Sequence, residues 1–167
     1  MPCGCQRLKD QVAIVTGAGQ GLGEALAKRL NDEGAKVVIA DINIEAAQKV
    51  AAGLNDALAV KLDVTNYEQC EEMVRLTLEK YGKIDLLVCN AGILIAKGID
   101  EFSAAEWKKV IDVNLIGYFN CAKAVVPVMK KQGKGNIIQI NSKSGKKGSY
   151  KNSAYASSKF GGIGLTQ

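Results

Sequence analysis

Short apolar runs alternate with longer amphipathic stretches along the whole chain. Val12–Thr16, Lys36–Ala40, Ala57–Leu62, Ile84–Cys89 and Gly135–Ile140 are rich in Val, Ile, Leu and Ala. Near-continuous apolar runs of this kind suit parallel strands buried on both faces. Between them, apolar positions recur at helical spacing. Gly21–Glu33 is predicted to be helical and to close at Gly34, a residue suited to a helix C-terminus. Asn43–Gly53 is the next helix. Thr65-Asn-Tyr-Glu68 reads as a capping box opening a helix that ends near Gly82. Ser103-Ala-Ala-Glu106 reads as a second box, opening a long helix toward Lys131, and a last helix is expected from about Ser153. Five βα repeats predict an α/β fold with a doubly wound parallel sheet and right-handed crossovers. One domain is expected over residues 1–167, with residues 1–9 as a flexible tail, and no linker, low-complexity segment or sequence repeat interrupts it.

Composition narrows the function class. The 167 residues, 47% hydrophobic and 23% charged, are ordinary for a globular domain with a sizeable core. No apolar run is long enough to span a bilayer, and Met1–Lys9 lacks the hydrophobic core of a signal peptide, so a cytoplasmic protein is expected. A net charge of +5 with 5% aromatics, and no interleaving of the two, argues against nucleic acid as a partner. Of the five cysteines, Cys70, Cys89 and Cys121 fall inside predicted elements and read as small buried hydrophobes, whereas Cys3 and Cys5 form a lone Cys-x-Cys pair. With no second pair and no histidine, a zinc site is not expected, and Ser-His and Cys-His nucleophilic mechanisms are excluded.

Two constellations carry the candidate chemistry. The first predicted strand runs into Thr16-Gly-Ala-Gly-Gln-Gly-Leu-Gly23 and then into a helix. That context binds a pyrophosphate, because the first N–H groups of the helix and its dipole face the anion while glycines permit a tight turn. The spacing is T-G-x-x-x-G-x-G, through Gly17, Gly21 and Gly23, with Gln20 and Leu22 between them. An ordinary strand–helix turn is the competing reading of the glycines alone. Asp41 closes the second strand, at the distance expected of an acid that binds the adenosine ribose hydroxyls. Its charge would repel a 2′-phosphate, which points to NAD rather than NADP; on its own it reads equally as an acid at a helix N-terminus. The second constellation is Tyr155-Ala-Ser-Ser-Lys159, which places a phenol and an ammonium one helical turn apart. A phenol titrates near ~10 in isolation, and an adjacent ammonium favours its ionised form, so the pair is a candidate proton donor and acceptor. Ser142 lies just upstream of it.

In order along the chain, the T-G-x-x-x-G-x-G turn, Asp63-Val64, Asn90-Ala91-Gly92, Asn114 in Val-Asn-Leu, Ser142 in Asn-Ser-Lys-Ser-Gly and Tyr155-x-x-x-Lys159 resemble the short-chain dehydrogenase/reductase family. The resemblance implies a Rossmann-like NAD-dependent oxidoreductase. It implies Tyr155 as the general acid in reduction and base in oxidation, with Lys159 stabilising the phenolate and holding the nicotinamide ribose. Ser142 would hydrogen-bond the substrate oxygen, and Asn114 would support a proton relay through a bound water and Lys159. Asp63 and Val64 would meet the adenine, with Asn90, Ala91 and Gly92 lining the adenosine-side wall. Singly, Asn114 also reads as a helix-interior Asn, Asp63 as a cap acid and Asn90-Ala-Gly as a turn.

The stretches Ile137–Gly148 and Lys159–Gln167 resemble, more narrowly, a bacterial branch of that family that oxidises sorbitol 6-phosphate to fructose 6-phosphate with NAD. Lys143, Lys146, Lys147 and Lys151 cluster after the fifth strand, on the side of an open α/β sheet where ligands bind. They read either as a phosphate-holding loop or as a solvated one. An unphosphorylated polyol or small secondary alcohol is the alternative substrate. Family members run longer than this chain. The resemblance therefore implies further strands, a substrate loop and a homotetramer built partly on later elements, and leaves open an NAD-binding fragment without turnover.

Overall fold

In the computed structural model, which describes residues 6–167, five strands form one parallel sheet in the order β3-β2-β1-β4-β5. The strands are β1 (Val12–Thr16), β2 (Lys36–Asp41), β3 (Leu58–Lys61), β4 (Leu86–Cys89) and β5 (Asn136–Gln139). The helices are α1 (Gly21–Asp32), α2 (Ile44–Ala52), α3 (Tyr67–Tyr81), α4 (Ala104–Ile111), α5 (Gly117–Gln132) and α6 (Ser153–Thr166). The predicted doubly wound α/β architecture is the one observed. Cys3 and Cys5 lie outside the described residues. Among the described residues, no helix is long and apolar enough to cross a membrane.

The apolar runs bury both faces of the sheet, as their sequence requires. Side chains alternate across a strand, so Ile14, Val38, Ala40 and Leu87 face α3 and α5, where Met73, Val74, Cys121 and Val125 complete one core. Ala13, Val15, Val37, Ile39 and Val88 face the other way, onto Ala27 of α1 and Ala47 and Val50 of α2. All five residues of β1 are buried. The order of pairing reverses between β1 and β4, which sets both loops at their C-terminal ends around one crevice. Cys70, Cys89 and Cys121 are buried as expected, with the Cys70 and Cys121 sulfurs 3.8 Å apart.

Two expectations are corrected. Thr65 is not the cap of α3: Asn66 is, accepting the Gln69 N–H at 2.9 Å. The Thr65 hydroxyl turns back to the Asp63 carboxylate at 2.7 Å, because a charged acceptor outcompetes a helix-end N–H for it. The long helix expected from Ser103 does begin at the Ser103–Glu106 capping box, but it is not uniform. A π-helical turn, Asp112–Ile116, separates α4 from α5 and carries Asn114.

The segment before β1 is tied down within residues 6–10. The Arg7 guanidinium donates to both carboxylate oxygens of Glu33, at 3.1 and 2.8 Å, and the Leu8 N–H donates to the Glu33 carbonyl at 2.8 Å. Arg29 adds a second cation to the same carboxylate. The hydrogen bond from Arg7 lowers the Glu33 pKa from 4.5 to about 2. A carboxyl whose folded value lies below its unfolded one stabilises the fold above the unfolded value, and that contribution is lost as pH falls toward the folded value. Between about pH 5 and about pH 2.5 the urea midpoint of the protein is therefore expected to fall more steeply than that of Glu33→Gln. Equal slopes would show that Glu33 carries no acid-sensitive stability.

Candidate active site

At the end of β1 the chain turns under glycines whose backbone no other residue tolerates well. Gly17 and Gly21 sit at φ +62° and +60°, the left-handed region that disfavours a Cβ. Gly23 is demanded by proximity instead: a Cβ there would overlap the Gly17 carbonyl oxygen and the Asn90 amide. The N-terminus of α1 is thereby drawn onto the end of β1. The first-turn N–H groups of a helix have no intrahelical acceptor, and those of α1 open into the crevice. Thr16 and Asn90 lock this turn to β4. The Asn90 amide donates to the carbonyls of Thr16 and Gly17, each at 3.0 Å, and the Thr16 hydroxyl accepts the N–H groups of Asn90 and Ala91, each at 3.1 Å.

The result is a cavity of about 650 Å³. Every residue expected at the turn and the adenosine side lines it: Gly17, Gln20 to Gly23, Asp41, Asp63, Val64 and Asn90 to Gly92. Sequence reasoning missed Ile42, Leu62, Ile93, Lys109 and Val113, which line the same cavity from positions carrying no motif. Lys109 is the single cation among its lining residues.

Asp41 and Asp63 are both held by backbone. Asp41 accepts the Gly19 N–H at 2.8 Å on one oxygen and the Asn43 N–H at 2.9 Å on the other. Asp63 accepts the Thr65 N–H at 2.9 Å and its own N–H is taken by the Gln69 side chain. The cap role open to Asp63 in sequence is not realised: the N–H it accepts, that of Thr65, lies before the cap residue Asn66.

Tyr155 and Lys159 lie on α6, on the far side of the β1–β4 junction. Lys159 is buried, its ammonium 5.4 Å from the centre of the Tyr155 ring and donating to the Ile140 carbonyl at 2.7 Å. Burial pulls the Lys159 pKa below its ordinary value. Tyr155 is half-buried. Ser142 opens the short 3₁₀ turn Lys143–Gly145, and its hydroxyl oxygen accepts the Ser144 N–H at 3.1 Å, which leaves its proton free to donate elsewhere. Asn141 joins the end of β5 to α6 by donating to the Lys159 carbonyl, and its oxygen accepts the Ser142 N–H.

Asn114 is buried within the π turn. Its amide exchanges two bonds with the Ile93 backbone, at 2.8 and 2.9 Å, and donates to the Ser158 hydroxyl at 3.1 Å. Ser158 in turn donates to the Tyr155 carbonyl at 2.7 Å, so Asn114 and the helix bearing Tyr155 are coupled through a residue that no motif singled out. Asn114 and Lys159 share the lining of a second, small cavity of about 10 Å³, room for about one water. A Cβ at Gly92 would stand 3.3 Å from the Asn114 side-chain oxygen, so that glycine serves Asn114 as well as the crevice.

Of the four lysines in the loop after β5, Lys151 is ion-paired with Glu101 at 3.5 Å. Lys143, Lys146 and Lys147 are exposed.

A family model described as short chain dehydrogenase matches residues 11–167. Sorbitol-6-phosphate 2-dehydrogenase of Escherichia coli is 42% identical over 95% of this chain, and the chain spans 64% of that relative's length. The crystal structure of a sorbitol-6-phosphate 2-dehydrogenase from Erwinia amylovora superposes with a TM-score of 0.90 at 41% identity, covering 93% of this chain and 63% of that one. The crystal structure of a levodione reductase superposes with a TM-score of 0.92 at 36% identity, covering 96% and 65%.

Proposed function

The chain belongs to the short chain dehydrogenase family, and from that premise we propose that its protein is an NAD-dependent oxidoreductase interconverting sorbitol 6-phosphate and fructose 6-phosphate. The observation that carries the reading is the Tyr155–Lys159 pair on α6, with the buried ammonium 5.4 Å from the ring centre, in a chain that also forms a 650 Å³ crevice lined by the glycine turn and Asp41. The glycine cradle fits a dinucleotide, because Gly17, Gly21 and Gly23 line the cavity where α1 begins, and the missing Cβ at Gly23 lets that helix N-terminus pack onto the Gly17 carbonyl. Gly17 and Gln20 to Gly23 would hold its pyrophosphate. Asp41 would take the adenosine ribose hydroxyls; its carboxylate, oriented by two N–H groups, favours NAD because a 2′-phosphate there would meet a like charge. When bound, the nicotinamide supplies the hydride acceptor.

In the oxidative direction Tyr155 takes the proton of the substrate hydroxyl as the phenolate, stabilised by the Lys159 ammonium beside its ring. Ser142 donates its free hydroxyl proton to the substrate oxygen and orients it, the electrostatic assistance a developing carbonyl needs. Lys159 would hold the nicotinamide ribose. Asn114, by fixing Ile93 and lining the one-water cavity next to Lys159, supports the path by which the proton leaves. The exposed Lys143, Lys146 and Lys147, immediately after Ser142, support a phosphorylated substrate through charge attraction. Ile116 at the end of the π turn, Phe119 on α5, and Phe160 and Leu165 on α6 are exposed apolar side chains, which supports self-association through these elements.

NADH formation with sorbitol 6-phosphate, set beside unphosphorylated sorbitol, tests the substrate. A strong preference for the phosphate ester is expected; turnover of free polyols alone would reassign the substrate, and NADH binding without any turnover would leave a nucleotide-binding module. Tyr155→Phe is expected to cut kcat by about 10²–10⁴-fold while the NADH dissociation constant stays within about twofold; near-normal turnover would remove Tyr155 from the proton transfer. Asp41→Ala is expected to shift the NAD/NADP ratio of kcat/KM toward NADP by about tenfold or more. An unchanged ratio would take Asp41 off the ribose.

A further inference from the structure

The π turn and the start of α5 carry three residues at a spacing of three: Asn114, Gly117 and Asn120. Asn114 fixes Ile93. The other two act on the opposite loop. Asn120 is buried, only 7% exposed, and its amide donates to the Val64 carbonyl at 3.0 Å and, more weakly, to the Thr65 carbonyl at 3.5 Å. One turn earlier, a Cβ at Gly117 would stand 2.5 Å from a methyl of Val64, so the absence of a side chain lets the helix approach that residue. The Cys70 thiol also points at the Val64 carbonyl, at 3.8 Å. Asp63 and Val64 line the crevice, and the Asp63 side chain is set by Thr65, the residue on the other side of Val64.

A buried polar amide among apolar neighbours is costly unless its bonds are made. Here the partners are loop carbonyls at the end of β3, an edge strand with no neighbour on its outer side among the described residues. Those carbonyls have no ladder bond to hold their direction. We propose that Asn120 is the positioning residue for the adenosine end of the cofactor. It clamps the Val64–Thr65 backbone so that Asp63 and Val64 present their side chains to the adenine. The inference rests on the dinucleotide reading given above and adds to it a residue that never touches the ligand. One helical stretch then sets both loops of the crevice, through Asn114 at the nicotinamide side and Asn120 at the adenosine side.

The test uses NADH titration, AMP competition and steady-state kinetics on the protein and on two variants. Asn120→Leu keeps the branched shape, with slightly more bulk, and removes the donor; Asn120→Ser is smaller and polar and serves if the first does not fold. The NADH dissociation constant is expected to rise about tenfold, and the AMP inhibition constant by the same factor, with kcat at saturating NAD changed by no more than about twofold. A rise for NADH without one for AMP would place the loss elsewhere than the adenosine end and overturn the proposal. Unchanged affinities, or kcat falling together with affinity, would overturn it too, the latter by showing a merely structural role. If the parent protein itself fails to bind NADH, it is the dinucleotide reading that falls, which distinguishes the two failures.

Discussion

The crevice depends on one close approach, that of the N-terminus of α1 to the last carbonyls of β1. Gly23 stands where any side chain would strike the Gly17 oxygen, and Asn90 reaches across from β4 to take both the Thr16 and Gly17 carbonyls. Strand end, helix start and neighbouring strand are therefore one rigid unit. This unit lies between β1 and β4, where the pairing order of the sheet reverses and the loops must part. The opening between those loops is the cavity. The bonds from Asn90 thus hold the Thr16 and Gly17 carbonyls in place at the point where the strand gives way to the turn.

Around that unit, the apolar core fixes the elements and side-chain amides fix the loops. Alternating residues of β1 and β2 fill two separate cores, which set the sheet between its helices but say little about where a loop points. Asn31 holds the loop before β3, Gln132 pins the end of α5 to Ile84, Asn114 holds Ile93 and Asn120 holds Val64. An amide has both donors and an acceptor, so it can mimic a strand partner for a carbonyl or an N–H left over where a strand ends. The π turn belongs to the same logic. An extra residue in one helical turn changes which face the side chains point to, and Asn114, within it, faces Ile93 and Ser158.

These bonds divide what could be read in the sequence from what could not. Val12–Thr16 is bounded alike in sequence and structure, because its apolar run ends at a glycine turn and every residue in it is buried. The Ser103–Glu106 box forms as read, because Lys97 takes one Glu106 oxygen and leaves the other to the Ser103 N–H and hydroxyl. The Thr65–Glu68 box does not, because Asp63 lies two residues upstream and takes the threonine hydroxyl, moving the cap to Asn66. The π turn left no trace in the pattern, since the apolar positions from Ser103 to Lys131 continue through it. The glycine turn, Asp41, Asn90 and the Tyr155–Lys159 pair were legible as candidates because short local spacing defines them. Thr16 as a double acceptor, Ser158 as a partner of Asn114 and Asn120 as a clamp depend on contacts between residues tens of positions apart, which no local spacing encodes.

The two carboxylates of the crevice, and Lys159 beside the small second cavity, are disposed in the same way, by backbone rather than by opposite charges. Asp41 and Asp63 each rest on N–H groups, and Lys159 donates to a carbonyl. By contrast, the ion pairs of Glu33, Asp56 and Glu106 lie away from the crevice and serve to hold elements together. A charge neutralised by a neighbouring ion has little field left for a ligand, whereas one oriented by a dipole keeps most of its own. The arrangement costs something at Lys159, where burial disfavours the ammonium. The hydrogen bond to the Ile140 carbonyl offsets part of that cost, and the Tyr155 ring, one helical turn away, lies 5.4 Å from the ammonium. What surrounds the pair says more than its sequence spacing: a buried cation, one carbonyl to hold it, and a half-buried phenol whose ring centre lies 5.4 Å from the ammonium.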